Sequence, residues 1–173
     1  MAELYPSSEE ISLLKIQPTE GQMYLLTYLA ANLSDENEIY YKPILNGDQF
    51  DVVVLKKGCG VAIIEVRDWD LKLYVAEKLN EWRNIETNQV FKSPTAQLQT
   101  YKGNIFNLHI SGLAEKAVLN DNFYKVVHPF VFFYGPDKKA VGKMFECLES
   151  NIHQEKKELT SAYKGAQLNY TFL

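Results

Sequence analysis

The chain has 173 residues, enough for one domain with a sizeable core, and 46% hydrophobic content with 11 Tyr and 9 Phe excludes a disordered segment. No apolar run reaches the roughly 18 residues that cross a bilayer, and MAELYPSSEEIS lacks the basic and apolar regions of a secretory signal. A net charge of −4 and a pI near 5.4 exclude tight nucleic-acid binding by bulk charge, so such a partner needs a local basic strip or a second domain.

The opening stretch to Pro18 is polar and irregular apart from Ile11, Leu13, Leu14 and Ile16. Pro18-Thr19 starts a helix over 20–33, where Met23, Leu25, Leu26, Tyr28, Leu29 and Leu33 recur near helical spacing; Ser34-Asp35-Glu36-Asn37 ends it. Three strands follow: 39–43, closed by the turn Asn46-Gly47-Asp48, then FDVVVL (50–55) and VAIIEVR (61–67), both rich in β-branched residues. The connection Lys56-Lys57-Gly58-Cys59-Gly60 suits an antiparallel hairpin. Residues 68–92 are mixed, with an edge strand available at 71–75. Ser93-Pro94 starts a second helix, to about His109, with Leu98, Tyr101, Ile105 and Leu108 on one face and Gly112 as breaker. VVHPFVFFY (126–134) reads as a buried strand that Pro129 makes irregular or near an edge. A third helix is expected over 137–148, and the tail from Asn151 is polar. The whole reads as one α/β domain of mixed sheet, residues 1–173, with its core at about 18–150. The last residues, QLNYTFL, are an untidy ending, as expected of a piece of a longer protein.

Two carboxylates stand where apolar residues belong. Asp51 lies in F-VVVL and Glu65 in VAIIEVR. Burying either costs several kcal/mol unless it is paired or bound to a cation. Neighbouring antiparallel strands can set the two side by side, and a divalent metal would relieve their repulsion. Arg67, two residues beyond Glu65, shares its face. An acid, about a dozen residues, then acid-x-base across a hairpin is the PD-(D/E)xK nuclease arrangement. There the carboxylates hold Mg²⁺, and the base stabilises developing charge or positions the nucleophile. A structural salt bridge has the same spacing.

From Pro18 to about Tyr134 the chain resembles the nuclease-related domain (NERD) family, known at the front of certain superfamily-I DNA helicases of the UvrD/Rep kind. The resemblance is carried by PTEGQMYLL, YYKPILNGDQFDVVVLKKGCGVAIIEVRDWDL and SPTAQLQTYKGNIFNLHISGL, about two-thirds of the chain. It implies a restriction-endonuclease-like core of α-β-β-β-α-β order, the order read above from the residues. It further implies Asp51 and Glu65 as metal-binding carboxylates, the Val66 carbonyl as a third ligand, and Gln97 shaping the site from the later helix. Mg²⁺ or Mn²⁺ is the expected cofactor and DNA the expected partner, with an attached helicase domain, in DNA processing or repair. The alternative is a catalytically weakened DNA-binding or regulatory module of a helicase. Gln97 as a capping or solvent-facing amide is an equal alternative.

Two positions depart from the family's pattern. Arg67 stands where relatives usually carry Lys; it keeps the charge but does not give up its proton. Gln22 stands where the first helix usually carries Glu, and Glu20, about 200° around the helix, cannot replace it. Both changes point to weaker metal binding or reduced catalysis.

Other features argue for less. His109, His128 and His153 are scattered, and no zinc spacing or nucleotide-binding P-loop occurs. Cys59 and Cys147 show no metal-ligand spacing and read as free thiols of a reducing compartment, by default the cytoplasm. Trp69 and Trp82 are expected in the core more than on a base. Lys56, Lys57, Arg67, Lys72, Lys92 and Lys102 form either a phosphate-binding rim or an ordinary mixed-charge surface. Lys138-Lys139 and Lys156-Lys157 are taken as surface.

Overall fold

The computed structural model describes residues 1–78, 80–136 and 139–146. In chain order the elements are β1 (Glu3–Tyr5), α1 (Ser8–Ser12), α2 (Glu20–Asn32), β2 (Asn37–Tyr41), β3 (Ile44–Leu45), β4 (Asp48–Gln49), β5 (Val52–Lys56) and β6 (Gly60–Arg67). There follow β7 (Tyr74–Val75), β8 (Glu81–Asn84), β9 (Val90–Lys92), α3 (Pro94–Asn104), α4 (Leu113–Leu119) and β10 (Val127–Phe133). Residues 139–146, within the expected third helix, are helical.

The central sheet has the order β1-β2-β5-β6-β10. β2, β5 and β6 are antiparallel neighbours, whereas β10 runs parallel to β6 and β1 parallel to β2. A parallel neighbour needs a long crossover, and α3 lies in the connection from β6 to β10. The fold is therefore a mixed α/β architecture, and α2-β2-β5-β6-α3-β10 is the expected order of a restriction-endonuclease-like core.

Strand alternation divides the core into two layers. Val52, Val54, Ile64 and Val66 point to one face and pack with Leu25 and Leu26 of α2, and with Ile39 and Tyr41 of β2. Val53 and Ile63 point to the other and pack with Phe50, Leu98 of α3, Ile105, Phe106 and Val127. By the same parity Glu65 and Arg67 belong to the α3 face. Side chains thus reach the end of β6 from helices on both sides.

Several expectations are corrected. Strand β5 begins at Val52, so Phe50 and Asp51 precede it, and Asp51 sits in a bend at its entrance. The polar opening stretch adds a strand, β1, to the sheet edge. Of the edge strand expected at 71–75, Tyr74–Val75 forms as β7, at the edge of a separate three-stranded sheet with β8 and β9; Leu71–Leu73 is instead a 3₁₀ turn. The expected helix to His109 is α-helical only to Asn104 and continues as a π-helical turn, Ile105–His109. Gly112, at φ +74°, both ends that run and starts α4. β10 is the edge strand that Pro129 suggests, but it is not buried: only Val127 is, and Phe130 is exposed. On α2, Met23 and Tyr28 are exposed, while Gly21, Gln22, Leu25 and Leu26 are buried.

Candidate active site

Val52 pairs with Ile64 on the β5–β6 ladder, so one further step sets Asp51 against Glu65. Both N-termini of the flanking helices converge there. Thr19 caps α2, its hydroxyl accepting from the Gln22 N–H while the Gln22 side chain accepts from the Thr19 N–H. Ser93 caps α3, accepting from the Ala96 N–H, with Pro94 at the first helical position. Gln22 and Gln97 each lie within the first turns, near the positive ends of the helix dipoles.

Both oxygens of the Asp51 carboxylate are engaged. Oδ1 accepts from Gln22 Nε2 at 3.1 Å, and Oδ2 from the Val66 N–H at 2.9 Å. The orientation of the Gln22 amide is fixed on its other side. Its Oε1 accepts from the Thr19 N–H at 3.1 Å and from the Tyr41 hydroxyl at 3.0 Å, so its nitrogen faces Asp51.

Glu65 is only 4% exposed. Its Oε1 meets Arg67 Nη2 at 2.5 Å, and the Arg67 Nη1 lies 3.7 Å from Asp51 Oδ2. Burial pushes the Glu65 carboxyl up to about 7; the Arg67 charge opposes that shift and Asp51 adds to it. Arg67 Nη1 also donates to the Val66 carbonyl at 3.0 Å, and Nη2 lies 3.4 Å from Gln97 Oε1. Its guanidinium carbon sits 5.1 Å from the Trp69 ring. Its Nε is buried with no hydrogen-bond partner.

The five residues expected at the site, Asp51, Glu65, Val66, Arg67 and Gln97, are therefore brought together, and Gln22 joins them. Two tyrosines were missed. Tyr101 accepts from Gln97 Nε2 at 2.8 Å and donates to the Gln49 carbonyl at 2.8 Å, which turns Gln97 Oε1 toward Arg67. Its phenol is pushed up by burial. Tyr101 lies four residues after Gln97 on α3, a spacing that could have linked them. Tyr41 gave no comparable signal, since its contact with Gln22 crosses from strand to helix.

The basic residues divide between the two readings. Lys56 and Lys57 lie at the β5–β6 turn, about 20 Å along the strand from Arg67 by the strand rise, and Lys56 pairs with Glu36. Lys102 is buried over the Tyr124 ring, and Arg67 is inside the site. Trp82 is fully buried, as expected. Trp69 is half-buried, stacked on Tyr74 at 4.4 Å between centroids. It lines an open cleft of about 790 Å³ with Asp68, Lys72, Tyr74, Tyr134 and Lys143, beginning one residue beyond Arg67. His109 is held by Asp48 at 2.9 Å and Asn46 at 3.2 Å, a packing role. Cys59 is exposed and free, whereas Cys147 and His153 lie outside the described residues.

Among the described residues no cluster of three or more His, Cys, Asp or Glu forms. Protein ligation of a metal would rest on the two carboxylates and the Val66 carbonyl. That all-oxygen set suits a hard divalent cation such as Mg²⁺ and not zinc. Among the described residues no helix is long and apolar enough to cross a membrane. A family model described as nuclease-related domain matches residues 18–134. No curated protein and no solved structure matches the chain.

Proposed function

Because the chain belongs to the nuclease-related domain family, with residues 18–134 spanning the matched region, we propose that its site hydrolyses nucleic-acid phosphodiesters, those of DNA, with Mg²⁺ or Mn²⁺. The observation that supports this reading is that Asp51, Glu65 and the Val66 carbonyl all lie around one point at the end of the hairpin, where each contacts the Arg67 guanidinium. Two carboxylates kept at the end of an apolar hairpin have a clear physical use only if a positive charge sits between them.

Asp51, Glu65 and the Val66 carbonyl would hold the metal. When bound, it would polarise the scissile phosphate and lower the pKa of an attacking water. The remaining roles belong to the chain itself. Arg67 presents a fixed positive charge that can grip a phosphate oxygen, and it takes no part in proton exchange. Gln97, turned by Tyr101, steadies the guanidinium. Gln22 holds Asp51 in place through its amide nitrogen. The two helix N-termini add a favourable field for an anionic substrate. With an overall charge of −4, tight binding draws on a partner, and an attached or associated helicase module in DNA processing fits that need.

A second reading is favoured by one observation: Asp51 already has protein donors on both oxygens, and Arg67 meets both carboxylates. A site so satisfied also suits a DNA-docking or regulatory module. Calorimetry with Mg²⁺ and Mn²⁺ on the wild type and Asp51→Ala, followed by plasmid nicking, separates the two. Binding lost in the variant, together with nicking by the wild type, establishes the nuclease. Binding without nicking supports a weakened site, and no binding at millimolar metal supports the docking module.

A further inference from the structure

We propose that Arg67 is the resident cation of this site: its guanidinium holds the position a divalent ion would take, and an ion enters only by displacing it. The inference rests on the metal-ligand reading of Asp51, Glu65 and Val66. Each of those three groups contacts Arg67: Glu65 at 2.5 Å, the Val66 carbonyl at 3.0 Å and Asp51 at 3.7 Å. A lysine could not do the same. Its ammonium is a single point of charge, whereas the guanidinium fork spreads donors over two nitrogens that reach different oxygens together.

Two features mark this seat as one Arg67 can leave. Its Nε is buried without a partner, whereas the other two nitrogens each have one. A donor left unpaired in this way gains by moving to any acceptor. Trp69, with its ring 5.1 Å from the guanidinium, lines the open cleft beside the site and gives the side chain a route toward it. Displaced along it, Arg67 would present Nε and one Nη as a two-pronged face for phosphate. Metal affinity is then set by competition with an internal charge as well as by the ligands, and phosphate binding and metal binding assist one another through the same side chain.

The test is Mg²⁺ binding by calorimetry, alongside tryptophan emission, on the wild type, Arg67→Met and Arg67→Lys, with Asp51→Ala as reference. Urea unfolding confirms that each variant is folded. Both Arg67 variants are expected to bind Mg²⁺ more tightly than the wild type, Arg67→Met by at least about tenfold. In the wild type, Mg²⁺ is expected to shift the emission of Trp69 at the calorimetric midpoint, because the guanidinium beside its ring moves; Arg67→Met lacks this shift. Arg67 variants that bind no tighter than wild type, while Asp51→Ala abolishes binding, overturn the resident-cation inference and leave the metal site standing. If the wild type and both Arg67 variants bind no Mg²⁺, both readings fall.

Discussion

Unfolding the chain in urea at a series of pH values, in EDTA buffer, isolates the cost of ionising Glu65. Burial raises this carboxyl from 4.5 to about 7 in the folded chain. The folded state therefore holds the proton more tightly than the unfolded state, and the stabilisation is complete below the unfolded value. It is lost as pH rises through about 7, where the buried group ionises. The difference of 7 − 4.5 = 2.5 units, at about 1.4 kcal/mol each, corresponds to about 3 kcal/mol. Other acids titrate in the same range, so the quantity to follow is wild type minus Glu65→Gln, in which the shared groups cancel. That difference is expected to fall by about 3 kcal/mol between about pH 4 and about pH 8. Mg²⁺ added at the upper pH should then stabilise the wild type and not the variant. A difference flat to within about 0.5 kcal/mol would refute the reasoning. One that rises with pH would show that the Arg67 ion pair outweighs the burial of Glu65.

Gln22→Glu would place a carboxylate against Asp51; we expect a loss of about 1–3 kcal/mol in EDTA together with tighter Mg²⁺ binding, read by urea unfolding and calorimetry. Gly21 has no room for a side chain, since an added Cβ would meet Asp68 Oδ1 and lie 2.6 Å from Tyr134 Cβ. Gly21→Ala is expected to cost about 1–3 kcal/mol in urea unfolding, and a neutral result would mean that α2 is free to shift at its N-terminus. Trp82 is fully buried with its Nε1 unpartnered. Trp82→Ala should cost about 3–5 kcal/mol and Trp82→Phe clearly less, because the ring contacts largely survive and no donor is left unpaired.

The parts of this fold that were legible in the sequence are those where one physical signal acts alone. FDVVVL and VAIIEVR read as strands because their β-branched residues suit no other element, and the acids within them stand out for the same reason. Thr19 and Ser93 mark both helix starts through capping, a local effect. Of the small sheet only β7 is legible, within 71–75; β8 and β9 are not, because strands of two to four residues show too little alternation and are held by Trp69, Trp82 and Phe91 packing together. β1 was missed because it pairs with β2 across α2, and nothing near Glu3–Tyr5 signals that partner. Asp51 reads as a strand residue, whereas it sits in a bend before β5 that lets its side chain meet Gln22 of α2 as well as Val66 and Arg67 of β6. Tyr101 reads as an apolar position on α3. Its hydroxyl finds Gln97 and Gln49 only once the helix is docked.

The two departures from the family's pattern, read one at a time, each looked like loss. Their contacts tie them together. The oxygen of the Gln22 side chain already receives the Thr19 N–H and the Tyr41 hydroxyl, so whichever atom occupies the other position must face Asp51. A glutamate in that position would set a third negative charge beside Asp51 and Glu65, against Arg67 in direct contact and the weaker field of Lys42. The glutamine nitrogen instead donates to Asp51, which reduces the charge to be balanced and satisfies an oxygen at once. The guanidinium can then meet Asp51 and Glu65 with separate nitrogens, a geometry that a lysine ammonium cannot match. Gln22 lowers the site's demand for external positive charge, and Arg67 supplies the positive charge from within. Both act in the same direction, toward a site that folds with its carboxylates already paired and in which an entering metal must compete for them.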